Sequence, residues 1–101
     1  MLNGITNDTI SGMNISIIGA GKSGLSAANL ASILGAHPFI SDAASPDPQK
    51  SGIDKYNHEL GGHSKKVLDS DLIVISPGIP DTIPIIRSAV NKGIPVVSEI
   101  E

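Results

Sequence analysis

Cysteine is absent from this chain of 101 residues, which excludes disulfide staples, cysteine-ligated zinc and a thiol nucleophile. Aromatic rings are nearly absent too, Phe39 and Tyr56 being the only two. Proteins that hold nucleic acid stack bases on such rings and track phosphates along a basic groove. Here Lys and Arg number 7 against 10 Asp and Glu, the net charge is −3, and no basic cluster exists. Nucleic acid is therefore excluded as a partner. No apolar run approaches the roughly 20 residues needed to cross a bilayer. Residues 1–12 (MLNGITNDTISG) lack the charged start and apolar centre of a secretory signal. No membrane role is expected, and the composition fits a cytoplasmic setting.

What remains is a chain with 40% hydrophobic residues, enough for one domain with one modest core and not for two. Residues 1–12 read as a polar N-terminal arm and residues 13–101 as the folded domain. Asn14 to Ile18 (NISII) is short, β-branched and apolar, the mark of a buried strand. After Gly24, LSAANLASILGA carries helical spacing. Leu25, Ala28 and Ala31 or Ser32 lie on one face, Leu30, Ile33 and Leu34 widen it, and Gly35 stops it. HPFISD is a second strand, ending at Asp42. Residues 43–52 are rich in Pro, Ser and Gly and predict a loop, with a weak helix over residues 49–60. A competing strand signal near His58 to Leu60 is faint. SKKVLDS predicts a short helix, and LIVIS (residues 72–76) is the most hydrophobic strand. PGIPDTIP excludes regular structure. Pro84 suits the first turn of a further helix, whose buried face is Ile85, Ile86, Ala89 and Val90 and whose end is Gly93. PVVSEIE opens a last strand.

Strands that are apolar throughout and alternate with helices imply an α/β fold: a Rossmann-like open parallel sheet of four to five strands with helices on both faces.

One stretch, SIIGAGKSGLSA (residues 16–27), carries the chemistry. Its Gly21-Lys22-Ser23 has the tail of an ATP-binding P-loop. That motif needs a glycine five residues before Gly21, but Ser16 stands there, inside the strand, so no wide loop can wrap a triphosphate. The Gly19-x-Gly21-x-x-Gly24 pattern fits its context, since it follows a strand and opens a helix. Gly19 permits the tight turn, Gly21 the approach of a diphosphate, and Gly24 close packing of helix on sheet. Helix N–H groups then face the anion, with Lys22 and Ser23 able to add a cation and a hydroxyl. Asp42 ends the second strand 18 residues beyond Gly24, where an acid meets the sugar or base of a nucleotide. On this pattern alone the usual ligand is a nicotinamide dinucleotide.

The rest of the chain points elsewhere. SDLIVISPGIP (residues 70–80), KGIPVVSEIE (residues 92–101), GAGKSGLSAA and GGHS (residues 61–64) together resemble the N-terminal domain of the Mur ligases over residues 13–101. The resemblance is nearer to the members that add D-glutamate than to those that add L-alanine, which typically carry a second glycine in the first loop and Ser-Ser in place of Ser-Pro-Gly. It implies a Rossmann-like domain that binds UDP rather than NAD and holds the uridine diphosphate end of UDP-N-acetylmuramoyl-L-alanine, a peptidoglycan precursor. By motif match, Lys22, Ser23 and Gly24 meet the diphosphate beside Gly19 and Gly21. Asp42 and Ala43 sit by the uracil, and Ser76, Pro77 and Gly78 close the other side. A polar residue is common at the position of Ala43, so only its backbone or its packing can act there. The family reaction uses ATP and magnesium to activate the substrate carboxylate as an acyl phosphate, which the D-glutamate amine attacks. The resemblance implies that ATP and D-glutamate meet later domains, leaving this chain a binding domain without catalytic residues, cofactor or metal of its own.

Other polar residues carry plainer readings. His37, His58 and His63 lack ligand spacing and read as surface or turn histidines. His63 belongs to GGHS, for which the sequence supplies no chemical role. Asp69 and Asp71 read as helix-end and loop carboxylates rather than an acid/base pair. Lys65 and Lys66 are too few for an anion patch, and Glu99 and Glu101 share one side of the last strand. Two rival functions stand beside the ligase domain: the NAD(P)-binding domain of an oxidoreductase, and a stand-alone nucleotide sensor.

Overall fold

Five parallel strands run through the centre of the computed structural model, which describes residues 10–98. They are β1 (Asn14–Ile18), β2 (His37–Asp42), β3 (Asn57–Leu60), β4 (Leu72–Ile75) and β5 (Val96–Val97), in the order β3-β2-β1-β4-β5. Three helices connect them: α1 (Lys22–Ile33), α2 (Pro48–Ser51) and α3 (Pro84–Asn91). Short 3-10 segments cover Ile53–Lys55 and Lys65–Asp69. This is the expected Rossmann-like open sheet, with five strands.

Alternation along each strand explains why the apolar runs are continuous. Successive side chains point to opposite faces. Ile15, Ile17, Leu72 and Val74 pack with Ala28 and Ala31 of α1 and with Ile53 on one face. Ile18, Ile73 and Ile75 pack with Val67, Ile86 and Ala89 on the other. Both faces are covered, so both are mainly apolar, and the buried hydroxyls of Ser16 and Ser41 are hydrogen-bonded. Truncating Ile17, which is fully buried, to alanine would cost about 2–5 kcal/mol.

α1 buries a stripe of small residues, Gly24, Ala28 and Ala31, which lets its axis come close to the sheet. Leu30 and Leu34 pack at the flank of that stripe. Ile33, expected to widen it, is 80% exposed, because nine residues at 100° each put it about 180° from Gly24. Val90, expected on the buried face of α3, is 59% exposed. That face centres on Ile86 and Ala89, and Val90 falls on its open flank beside Asp81 and Arg87. Both helices stop at the expected glycines with the same double bond. Ala36 and Gly35 donate N–H to the carbonyls of Ala31 and Ser32, and Ile94 and Gly93 donate to those of Ala89 and Val90.

Residues 49–60 do not form one weak helix. Asp47 accepts N–H bonds from Gln49 and Lys50, Pro48 starts the single turn of α2, and Gly52 ends it. The chain then leaves the helix, and Asn57–Leu60 pairs with Phe39–Asp42 as β3. The faint strand signal was the correct one, because an edge strand takes its order from pairing rather than from its own hydrophobicity. The end of the polar arm also joins the fold. Ile10 is fully buried, and Gly12 N–H reaches the Gly35 carbonyl at 2.8 Å. Residues 1–9 of that arm, and Glu99 and Glu101, lie outside the described residues.

Candidate functional site

The strand order reverses direction of growth at β1, where β2 lies to one side and β4 to the other. Loops leaving the carboxyl ends of β1 and β4 must therefore diverge, and open α/β sheets bind ligands in the crevice so formed. A cleft of about 380 Å³ lies there, lined by Lys22, Ser23 and Ser26 of α1, by Ile75 at the end of β4, and by Ser76 and Pro77 beyond it.

Only Gly19, Ala20 and Gly21 separate β1 from α1. Gly19 has φ of +114°, and a Cβ there would stand 2.6 Å from Ser76 Oγ and 2.9 Å from Ile79 Cδ1. The first loop is thus pressed onto the second. A Cβ on Gly24 would stand 1.9 Å from the Gly19 carbonyl oxygen, so the first turn of α1 rests directly on the loop. Gly21 and Gly78 differ from these. Neither has a positive φ, and a Cβ on either would meet nothing within 4 Å. Among the described glycines they are the two for which the fold supplies no reason, and both lie in the loops that border the cleft.

α1 begins without a side-chain cap, Gly21 being its N-cap, and with no acidic residue in its first turn. The first N–H groups of a helix have no acceptor within it, and the positive end of the helix dipole favours an anion. Lys22 adds a full positive charge where a helix ordinarily gains from Asp or Glu. This arrangement is poor for an isolated helix and well suited to an external anion. Across the cleft, Ser76 N–H continues the ladder to the Ile18 carbonyl, and Ile79 N–H closes a turn on the Ser76 carbonyl at 3.0 Å. That turn presents Pro77 and Gly78, both exposed, at its tip.

Asp42 stands at the end of β2, beside the glycine loop. Its two carboxylate oxygens accept from Ala20 N–H at 2.7 Å and from Ala44 N–H at 2.8 Å. The acid thus ties the loop after β1 to the loop after β2. Ala43 lies exposed between the two. Outside this loop sits the turn that follows β3. Gly61 and Gly62 donate N–H to the carbonyls of Ala44 and Asp42. Ser41, fully buried at the end of β2, donates its hydroxyl to Glu59 Oε2 at 2.7 Å and lies 2.7 Å from His63 Nδ1. Ser64 N–H reaches the same Glu59 oxygen at 2.8 Å. Burial pushes the Glu59 carboxyl up, but hydrogen bonds from Ser64 and Ser41 and the nearby His63 outweigh it and hold the group below its ordinary value.

The site residues named from the sequence therefore occupy two connected places. Lys22, Ser23, Ser76 and Pro77 line the cleft itself. Gly19, Gly21, Gly24 and Gly78 shape its rims, and Asp42 and Ala43 lie to the side, over β2. Ser26 and Ser98 also line the cleft and were not identified from sequence. Ser26 could have been found, because it stands one helical turn beyond Ser23. Ser41 and Glu59 were missed as well. The signal was a hydroxyl inside a buried strand, which requires a partner. Two of the other polar residues hold nearby backbone: Asp71 accepts from Asn14 N–H at 2.9 Å, and His58 Nδ1 bonds the Tyr56 carbonyl at 2.8 Å.

Comparison with known proteins matches residues 13–98 to the family described as Mur ligase MurD-like, N-terminal domain. Similar curated proteins carry the name UDP-N-acetylmuramoylalanine--D-glutamate ligase. The one from Chlorobaculum tepidum is 45% identical over 97 residues, covering 93% of this chain and 21% of its own length. The one from Porphyromonas gingivalis strain W83 is 47% identical over 92 residues, covering 87% of this chain and 20% of its own. The one from Chloroherpeton thalassium is 39% identical over 102 residues, with 96% and 22% covered. The chain spans about a fifth of the length of these relatives. A three-residue glycine loop on a five-stranded parallel sheet, with an open helix N-terminus facing Ser76 and Pro77, thus comes with matching sequence over nearly the whole chain, and the chain belongs to the Mur ligase family as a MurD-like N-terminal domain.

Proposed function

We propose that this chain holds the uridine diphosphate end of UDP-N-acetylmuramoyl-L-alanine, as the first domain of an ATP-dependent ligase that adds D-glutamate to it in cytoplasmic peptidoglycan synthesis. The observation that carries this reading is the uncapped start of α1, bearing Lys22 and Ser23 and facing Ser76 and Pro77 across the cleft. In this assignment the diphosphate lies on the N–H groups of Lys22, Ser23 and Gly24. Gly21 and Gly78 leave room for it, and the nucleoside extends toward Asp42 and Ala43. The names of the relatives supply the substrate.

ATP with magnesium does not fit this cleft. The loop between β1 and α1 has three residues, too few for the wide phosphate wrap of a P-loop. Among the described residues no three His, Asp or Glu side chains gather as a metal would need. Both groups, and D-glutamate, are assigned to the part of the relatives' length that this chain does not span. The oxidoreductase reading lacks comparable support, since the sequence match over residues 13–98 is to the Mur ligase family.

Calorimetric titration with UDP-N-acetylmuramoyl-L-alanine, and with NADH in parallel, tests the assignment. Binding of the UDP-sugar alone, lost in Ser23→Ala and Asp42→Ala, is expected. Binding of NADH alone would overturn it. No amide product is expected when this chain is incubated with ATP, magnesium, the UDP-sugar and D-glutamate.

A further inference from the structure

His63, Ser41 and Glu59 form a chain of hydrogen bonds that the cleft itself does not contain. Its direction follows from the groups involved. An ionised Glu59 can only accept, so the Ser41 hydroxyl spends its proton there, at 2.7 Å. The Ser41 oxygen can then only accept from His63, whose Nδ1 at 2.7 Å must carry the hydrogen. Ser41 is therefore no nucleophile, since its proton is directed away from the imidazole.

Its place in the fold gives the chain a purpose. Ser41 and Glu59 are register partners on β2 and β3. His63 and Ser64 lie in the turn that follows β3, and Ser64 N–H joins Glu59 as well. The same turn grips the end of β2 and the loop beyond it by its backbone, Gly62 to Asp42 and Gly61 to Ala44. Asp42 in turn holds Ala20 N–H at 2.7 Å. A continuous set of bonds thus runs from His63, through the end of β2, into the glycine loop.

We infer that His63, with Ser41 and Glu59, is a positioning group that fixes the Asp42–Ala44 loop and, through Asp42, the Ala20–Gly21 turn for nucleoside diphosphate binding. The inference rests on the function proposed above for its ligand. A lock that served folding alone would change stability and leave the empty loop and its affinity unaltered.

The test uses the full chain with UDP as the probe, at a temperature where every variant is folded. His63→Leu is expected to weaken UDP binding about tenfold, the effect of one well-placed hydrogen bond. It is also expected to move the backbone amide resonances of Ala20 and Ala44, which report the two Asp42 bonds. His63→Asn, which can place an N–H near the same point, is expected to restore both. Ser41→Ala, a smaller change, is expected to reproduce the loss. Unaltered affinity and unaltered Ala20 and Ala44 resonances in His63→Leu and Ser41→Ala would overturn the inference. If the unsubstituted chain bound no UDP, the proposed function would fall, and the Ala20 and Ala44 resonances of the empty protein would still decide whether His63 positions the loop.

Discussion

Gly21 and Gly24 stand three residues apart and are glycines for different reasons. A methyl group on Gly24 would meet the Gly19 carbonyl oxygen at 1.9 Å, and both partners are backbone, so the helix must lift from the loop. Gly24→Ala is expected to lower stability by more than about 2 kcal/mol, the range of overpacked sites. Gly21 has φ of −78° and open space around it. Gly21→Ala is expected to stay within about 0.5 kcal/mol of the unsubstituted chain while weakening UDP binding. Urea unfolding and calorimetry on the two variants would separate these effects. Equal losses of stability in both would contradict the distinction. The motif assigns Gly21 to ligand approach and Gly24 to helix packing, and the surroundings of the two glycines, open at Gly21 and closed at Gly24, agree with that division.

At the scale of elements, α1 carries a conflict between its own stability and its proposed ligand. A lysine in the first turn opposes the helix dipole, and no side chain caps the end. Lys22→Glu is expected to raise stability by about 0.3–1 kcal/mol and to abolish UDP binding, a trade of the kind seen where a site breaks a local rule. Thermal unfolding and titration read the two quantities independently. The loop after β4 presents the opposite case. Pro77, Pro80 and Pro84 stiffen it, which lowers the ordering cost of binding. Pro80 is exposed, so Pro80→Gly is expected to weaken UDP-sugar binding more than it lowers stability. Equal affinity in the variant would rule this out. Both elements were legible in advance, because helix starts, glycine stops and proline runs are local signals. α2 was not, although Asp47-Pro48 and Gly52 mark its ends, since one turn has no periodicity to detect.

For the whole molecule, acid response should pass in part through the edge of the sheet. Glu59 is held below its ordinary value of 4.5 in the folded state. A carboxylate shifted downward contributes stability above its unfolded value, and that contribution is lost as pH falls through the folded one. Stability is therefore expected to fall from about pH 4.5 downward, and the fall should be shallower in Glu59→Gln. Chemical unfolding as a function of pH measures both curves. Identical slopes would place the acid sensitivity elsewhere. Because Glu59 bonds both β2 and the turn after β3, loss of its charge should also loosen the loop that holds Asp42.

NISII, LIVIS, the glycine spacing and the stops at Gly35 and Gly93 determined by themselves that this chain is a parallel α/β domain with a tight glycine turn after its first strand. Each of these features is a preference of neighbouring residues for one backbone state, so a linear reading suffices. SPGIP and PVVSE added the family. The tertiary structure alone decided that Asn57–Leu60 is a strand, that Ile33 and Val90 face outward, and that Asp42 bridges the main chain at Ala20 and Ala44. It also decided that His63 reaches a serine 22 residues away. Edge pairing, helix rotation against a sheet and bonds between distant side chains depend on where the elements come to rest, and no local spacing carries that information.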